Sequence, residues 1–364
     1  MHIPVIIGGG GIIGLLFYYE LQKKFPALDC ALLESSSFFG DMATGRNSGV
    51  LHAGLYYPEG SLKHQLCLEG NRLWDELSLE LEVSLKRCGK FIVASSEDER
   101  EALAELYQKA KRNKVPLLRE TTKEEEDELK KWCSYTDSFF SGSTGVLSPS
   151  EVIKNLVRKI ESRGGILMKN HRIERVQELS EGEGRFLVST DQGEFRCDTF
   201  VNACGGFAPE VRKGLGLNDF ESYWVKGSYF KLNKSFYNDS LIYPVPPKDL
   251  LGLGVHTSFD LDGIIRFGPD TSSCEEYEHS LNEENMEGMF QAIQKVFKGI
   301  ERSELSLDYC GIRAKIKRDG KLYPDFFIGN QREGYLEYLG IESPGLTSAP
   351  ALVREGLRKL EIRG

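Results

Sequence analysis

Near the start of the chain, Gly9-Gly10-Gly11-Ile12-Ile13-Gly14 spaces its glycines so that a backbone turn can lie against a phosphate. The turn follows an apolar run, Ile3 to Ile7, and opens a helical stretch from Ile12 to Phe25, the strand-turn-helix setting that gives such glycines meaning. Lacking side chains, Gly9 and Gly11 permit a tight turn and close approach to a pyrophosphate, whose charge the free N–H groups of a helix N-terminus stabilise. Glu34 ends a second apolar run, Ala31-Leu32-Leu33, twenty positions beyond Gly14, where a carboxylate can accept both hydroxyls of a ribose. Together these residues predict a bound dinucleotide.

Two strand-like segments hold the other side chains capable of chemistry. Ile312, Ala314 and Ile316 alternate with Arg313, Lys315 and Lys317, which by itself reads as a half-buried strand with a solvated basic face. Leu251, Leu253 and Val255 alternate with Gly252, Gly254 and His256, so one face packs and the other is bare until the imidazole. A histidine there can take a proton near neutral pH, although a lone strand histidine reads first as structural. The eight cysteines include no C-x-x-C pair and no metal-like His/Cys cluster, so they read as buried hydrophobes in a reducing compartment, with no metal expected.

The surrounding elements must position these groups. At 364 residues, 40% hydrophobic and 28% charged, the chain has the composition of a globular protein of about two domains. A net charge of -9 argues against nucleic acid, which wants a basic surface. No apolar stretch approaches the roughly 18 residues of a membrane span, and no basic residue precedes the first apolar run as in a secretory signal. A soluble, cytoplasmic protein without a transmembrane segment is expected, with attachment at a membrane periphery left open.

Helices are predicted at Leu62 to Leu79, Asp98 to Lys114 and Lys123 to Lys131, the last with Thr121 and Glu124 at capping-box spacing. Ser148-Pro149-Ser150-Glu151 starts another, with Val152, Ile153, Leu156, Val157 and Ile160 on one face and Gly164-Gly165 as its end. Strands are predicted at Cys88 to Ala94, Ile166 to Leu179, Arg185 to Thr190 and Thr199 to Ala203. The last of these runs into Cys204-Gly205-Gly206, a second place for backbone to meet a cofactor. From Tyr223 to Lys317 strands and turns dominate, with a hairpin at Asp262-Gly263 between Leu251–Ser258 and Ile264–Gly268. A strand at Asp325 to Gly329 and a loop-helix at Gly340 to Leu360 finish the chain. The fold class is α/β with an α+β second domain: a Rossmann-like FAD/NAD(P)-binding domain of residues 1–85, 146–218 and 325–364, interleaved with a β-sheet-rich substrate-binding domain of residues 86–145 and 219–324.

Several motifs together make the chain similar to the D-amino-acid-oxidase superfamily of flavoenzymes, and within it to the L-2-hydroxyglutarate dehydrogenase/oxidase family. They run nearly end to end: VIIGGGGIIG, TGRNSGVLHAGLYY from Thr44, LCLEGNRL from Leu66, RCGKFIVA from Arg87, IYPVP from Ile242, LGVH from Leu253, FGPD from Phe267, GIRAK from Gly311 and LGIESPGLTS from Leu339. The resemblance implies FAD, held through Gly9, Gly11, Gly14 and Glu34, with Thr44, Gly45, Arg46, Asn47 and Ser48 along its pyrophosphate and flavin side. It further implies that adenine meets the backbone near Ile173, that Gly205 lies against the cofactor, and that Gly345, Leu346 and Thr347 cap the ring at a helix N-terminus.

The resemblance also implies that Arg313 binds a substrate carboxylate, with Tyr56, Tyr57 and Tyr243 as pocket linings or core and Lys315 either meeting a second carboxylate or lying on the surface. His256 would accept a hydroxyl proton as hydride leaves for flavin N5; His52 is the rival base, or else a support for the flavin loop. The implied activity is oxidation of a small L-2-hydroxy acid, such as L-2-hydroxyglutarate, to the 2-oxo acid, with oxygen, a quinone or another carrier as electron acceptor. Amine, amino-acid or glycerol-3-phosphate oxidation, and a non-catalytic flavin-binding subunit, are the alternatives. The chain departs from the family pattern at Tyr18, where Ala or Gly is usual, at Met42-Ala43, at Cys204 to Pro209, and in a shorter segment between Asp270 and Gly311.

Overall fold

The structure is a computed structural model and describes residues 1–237, 239–246, 254–281 and 285–360. Val5–Gly8 and Cys30–Leu33 are buried at every position, as strands covered on both faces of a parallel sheet must be. They lie in a six-stranded sheet ordered Phe327–Gly329, Tyr335–Leu339, Thr199–Asn202, Val5–Gly8, Cys30–Leu33, Ile166–Met168. All neighbours are parallel except the edge strand Phe327–Gly329. The glycine turn therefore leaves the carboxyl end of an inner strand, where ligands bind in open α/β sheets. Helices Ile12–Lys24, Leu62–Leu81, Pro149–Glu161 and Gly345–Lys359 pack together over this sheet through Leu15, Trp74, Leu156, Leu352 and their neighbours.

A second sheet is built on Phe220–Leu232 and Leu305–Arg318, paired antiparallel over nearly their whole lengths, with Val225 opposite Arg313. His256–Phe259 joins it through the hairpin partner Ile265–Gly268, around the predicted turn. Beside it, Leu241–Pro244 runs parallel to Lys90–Ala94 in a four-stranded sheet. Phe91, Val93, Phe230, Ile242, Phe259 and Phe267 form one core between the two sheets. Thr257 Oγ1 accepts the Ile242 N–H at 2.8 Å and donates to the Ile242 carbonyl, which locks Tyr243 and His256 side by side.

Several elements differ from the sequence-based expectation. The capping box is Thr122 with Glu125, one residue later than predicted, because Thr121 Oγ1 pairs with Ser138 Oγ instead. The run from Ile166 to Leu179 is two strands in different sheets, Ile166–Met168 and Ile173–Glu178, separated by Asn170 at φ 55°. Gly193–Cys197 and Tyr335–Leu339 are strands not anticipated, and the strand-rich region contains a helix at Met286–Gln294. The strand predicted from Leu251 begins at His256; positions 251–253 lie outside the described residues. Asp325, placed in the final strand, instead accepts the Leu62 and Lys63 N–H groups at the start of the Leu62–Leu81 helix. Tyr18 solves its packing problem by reaching sideways: its hydroxyl donates to the Cys30 carbonyl and accepts the Ile166 N–H, bridging two parallel strands.

Tyr335–Leu339 was hard to foresee because its centre is Glu337, an acid with no exposed side-chain surface. Arg212, equally buried, donates to it at 2.9 Å and Tyr335 Oη at 2.8 Å. Arg212→Met should cost about 3–5 kcal/mol by stranding the carboxylate, and Arg212→Met with Glu337→Gln should regain part of that loss; urea unfolding midpoints measure both. Among the described residues no helix is long and apolar enough to cross a membrane, and no group of His, Cys, Asp and Glu could hold a metal.

Candidate active site

A cavity of about 1260 Å³, open to solvent, lies where the two sheets meet. Its wall gathers Gly11, Thr44, Arg46, Asn47, Ser48 and Gly205, together with Gly345, Leu346 and Thr347 from the start of the C-terminal helix. His52, Tyr243, His256 and Arg313 share the same wall. Residues up to 336 positions apart in sequence are thus brought together around one space, from Gly11 to Thr347.

Beneath the wall, Gly9 and Gly14 serve the backbone. Gly9 has φ 99°, and a Cβ there would lie 2.3 Å from the Ala203 carbonyl oxygen; a Cβ on Gly14 would lie 1.9 Å from the Gly9 oxygen. Glu34 folds onto the turn: Oε2 accepts the Gly10 N–H and Oε1 the Ser36 N–H, each at 2.7 Å. Ser35 Oγ also donates to Oε1, at 3.0 Å, so Oε2 is the oxygen that keeps a lone pair for a further hydroxyl. Thr44 Oγ1 accepts the Ile12 N–H at 3.0 Å, while Asn47 donates to the Ala43 and Thr44 carbonyls and accepts the Gly49 N–H. Gly45 turns this loop, its N–H on the Met42 carbonyl, rather than facing the cavity. Ile173 is also off the wall, with its side chain against Gly8.

Two of the proposed substrate contacts stand behind the wall. Lys315 Nζ is engaged by Glu342 Oε1 at 2.8 Å, an oxygen it shares with Lys63, so it is not free for a second substrate carboxylate. Burial alone would raise Glu342, but the two ammonium groups hold it below the usual carboxylate range. Tyr57 sits beside Ser343 and Glu342 and does not line the cavity.

Arg313 is different: half-buried on the wall, it has no ion pair or hydrogen bond among the described residues. Its field reaches both histidines. Burial pushes His52 well below its ordinary value, reinforced by the charges of Lys90 and Arg313 and by His256. Burial likewise pushes His256 down to about 3, against the pull of the Gly254 carbonyl and with the help of Lys90 and Arg313. Both imidazoles are therefore neutral at physiological pH. In His256, Nδ1 lies 2.8 Å from the Gly254 carbonyl, which can only accept, so Nδ1 carries the proton and Nε2 a lone pair. In His52, Nε2 is occupied by Ser343 Oγ at 3.2 Å and Nδ1 is buried without a partner.

Sequence reasoning missed Tyr229, Glu342 and Ser343 on this wall, and the part played by Lys90 behind it. Lys90 did leave a signal. It opens Lys90–Ala94, a strand buried at every position, where a lysine has no water to reach.

A Rossmann-like parallel sheet with a glycine turn at its switch point, joined to an antiparallel sheet whose arginine is unpaired among the described residues, is the framework of a nucleotide-cofactor oxidoreductase. Residues 4–355 match the family model of the DAO FAD-dependent oxidoreductases, and the chain belongs to that family. It is 30% identical to L-2-hydroxyglutarate dehydrogenase of Escherichia coli K12 across 94% of this chain and 90% of that protein. It is 29% identical to a glycerol 3-phosphate dehydrogenase of Caloramator mitchellensis across 96% of this chain and 72% of that one. In fold it is similar to the FAD-bound L-α-glycerophosphate oxidase of Mycoplasma pneumoniae, with a TM-score of 0.89 at 24% identity over 100% of this chain and 96% of that one.

The residues present fit FAD. The helices starting at Ile12 and Gly345 both open on the cavity, and neither has a side-chain cap from its own N-cap residue. Thr44 Oγ1 takes the Ile12 N–H, and the N–H groups that remain, with the positive dipole ends, would suit a pyrophosphate at the first helix and the pyrimidine edge of a flavin at the last. Bound there, FAD supplies a two-electron acceptor that takes hydride from substrate.

Proposed function

We propose that this enzyme oxidises an L-2-hydroxy acid, L-2-hydroxyglutarate in particular, to the 2-oxo acid. Residues 1–85, 146–218 and 325–364 hold the flavin on this reading, and residues 86–145 and 219–324 shape the substrate side. The observation that carries it is the unpaired Arg313 guanidinium facing two neutral histidines across one cavity. A planar guanidinium binds a carboxylate through two parallel hydrogen bonds, which fixes the orientation of the adjacent C2–H. His256 Nε2, with its lone pair free and its other nitrogen tied to Gly254, accepts the hydroxyl proton as the C2–H bond breaks. The hydroxy acid loses one proton and one hydride and leaves as the keto acid. The 30% identity to an L-2-hydroxyglutarate dehydrogenase over nearly the whole chain supports that substrate over others that share the carboxylate.

Anaerobic titration of the FAD-loaded enzyme tests this. L-2-hydroxyglutarate should bleach the visible flavin band, whereas its D enantiomer, glycerol 3-phosphate, glycine and L-proline should not. Bleaching by glycerol 3-phosphate or an amino acid in its place would assign the enzyme to that substrate, and no bleaching by any of them would leave a flavin-binding subunit.

A further inference from the structure

Lys90 is wholly buried, and its ammonium has neither a carboxylate nor a hydrogen-bond acceptor among the described residues. Such a group is costly unless something replaces its water. Here the replacement is aromatic: Nζ lies 4.8 Å from the Tyr56 ring centre and 4.4 Å from that of Tyr243, within the range of cation–π attraction. Tyr243 in turn stacks on His256, with ring centres 3.8 Å apart and planes 25° from parallel. Since the imidazole covers one face of Tyr243, the ammonium takes the other. The order Tyr56, Lys90, Tyr243, His256 forms a column that ends on the cavity wall.

We propose that Lys90 is a positioning residue for the reaction: its ammonium clamps Tyr243 against His256 and, as a positive charge behind the ring, adds to burial in favouring the neutral, proton-accepting form of that imidazole. The proposal rests on the reading of His256 as the base. One cation on a ring face is attracted by the π-electrons, but a second on the opposite face meets the first across roughly 8 Å of protein, with no carboxylate pairing either one.

The groups around the column leave the competition between these two bases intact. Tyr56, Tyr243, Cys67 and Cys88 face Lys90 from the neighbouring elements, and burial raises all four, so they stay neutral. His256 is faced by Lys90, Arg313, the neutral His52 and the Gly254 carbonyl. Burial brings Lys90 down to about 7, still far above His256 at about 3, so Lys90 holds the proton. Above neutrality the ammonium is lost and with it the clamp on Tyr243, which gives the wild-type rate an inflection near pH 7 that an arginine would abolish.

The test uses FAD-loaded wild type, Lys90→Met and Lys90→Arg, with Lys90→Gln as a second neutral variant should methionine prevent folding. Histidine-labelled NMR, assigned against His256→Asn, reads the protonation of His256; anaerobic reduction by L-2-hydroxyglutarate reads the rate across pH. In the neutral variants the His256 pKa should rise by about 1 unit, and the acid limb of the reduction rate should rise with it. Lys90→Arg should leave both in place and flatten the inflection near pH 7. An unmoved His256 in a neutral variant with intact flavin binding overturns the proposal. A shifted His256 with an unmoved acid limb supports the electrostatic role and removes His256 as the base.

Discussion

Arg313→Ala should lower kcat/KM for L-2-hydroxyglutarate by about 10³-fold, equivalent to about 4 kcal/mol, while leaving FAD bound. The size follows from two charge-assisted hydrogen bonds to one carboxylate, lost from a site where, among the described residues, no other unpaired arginine faces the histidines. Flavin should stay because Arg313 lies on the Leu305–Arg318 strand, outside the glycine turn and both uncapped helix starts. Arg313→Lys should recover only part of the loss, since an ammonium on a shorter side chain replaces a planar fork with a single point of contact. Removing the guanidinium also removes one charge that holds the histidines low, so the acid limb of the remaining activity should move upward. Stopped-flow reduction measures all of this, and an unchanged rate in Arg313→Ala would take that residue out of the substrate site.

The cofactor half of the site was legible in the sequence because its demands are local. Gly9 is forced by its φ, Gly14 by a backbone contact with Gly9 one turn away, and Glu34 reaches only as far as Gly10 and Ser36. The Ser148 cap and the hairpin at Asp262-Gly263 are local in the same sense. Motif similarity then carried the reading to Thr44, Gly345 and Arg313, which no spacing rule connects. What stayed hidden depends on partners distant in the chain. Lys315 looked free on a basic strand face until Glu342 arrived from the loop before the last helix. Tyr18 looked oversized because its acceptor, the Cys30 carbonyl, belongs to another strand. The strand around Glu337 was masked by a charge that only Arg212, 125 positions away, makes tolerable.

His256→Asn should slow flavin reduction by about 10²–10⁴-fold while changing substrate affinity little, because the proton is accepted only as the C2–H bond breaks. His52→Asn should cost less in rate, since its Nε2 is already hydrogen-bonded to Ser343 Oγ. The pH dependence separates this base from an ordinary imidazole. With His256 pushed down to about 3, its free-base form persists far below the usual 6.5, so reduction should stay level as pH falls from 6.5 toward 4. The same depression has a consequence for stability. The unfolded chain takes up a proton at this position below 6.5 and the folded one does not until about 3, so stability is complete above 6.5 and is lost progressively between those limits. His256→Asn removes that acid loss and should move the acid-unfolding midpoint to lower pH even as it removes activity. A fall in wild-type activity as pH drops below 6.5 would contradict the buried neutral base, whereas a level rate there combined with an acid-resistant variant would place the proton acceptor in the dry wall of the cavity beside Tyr243.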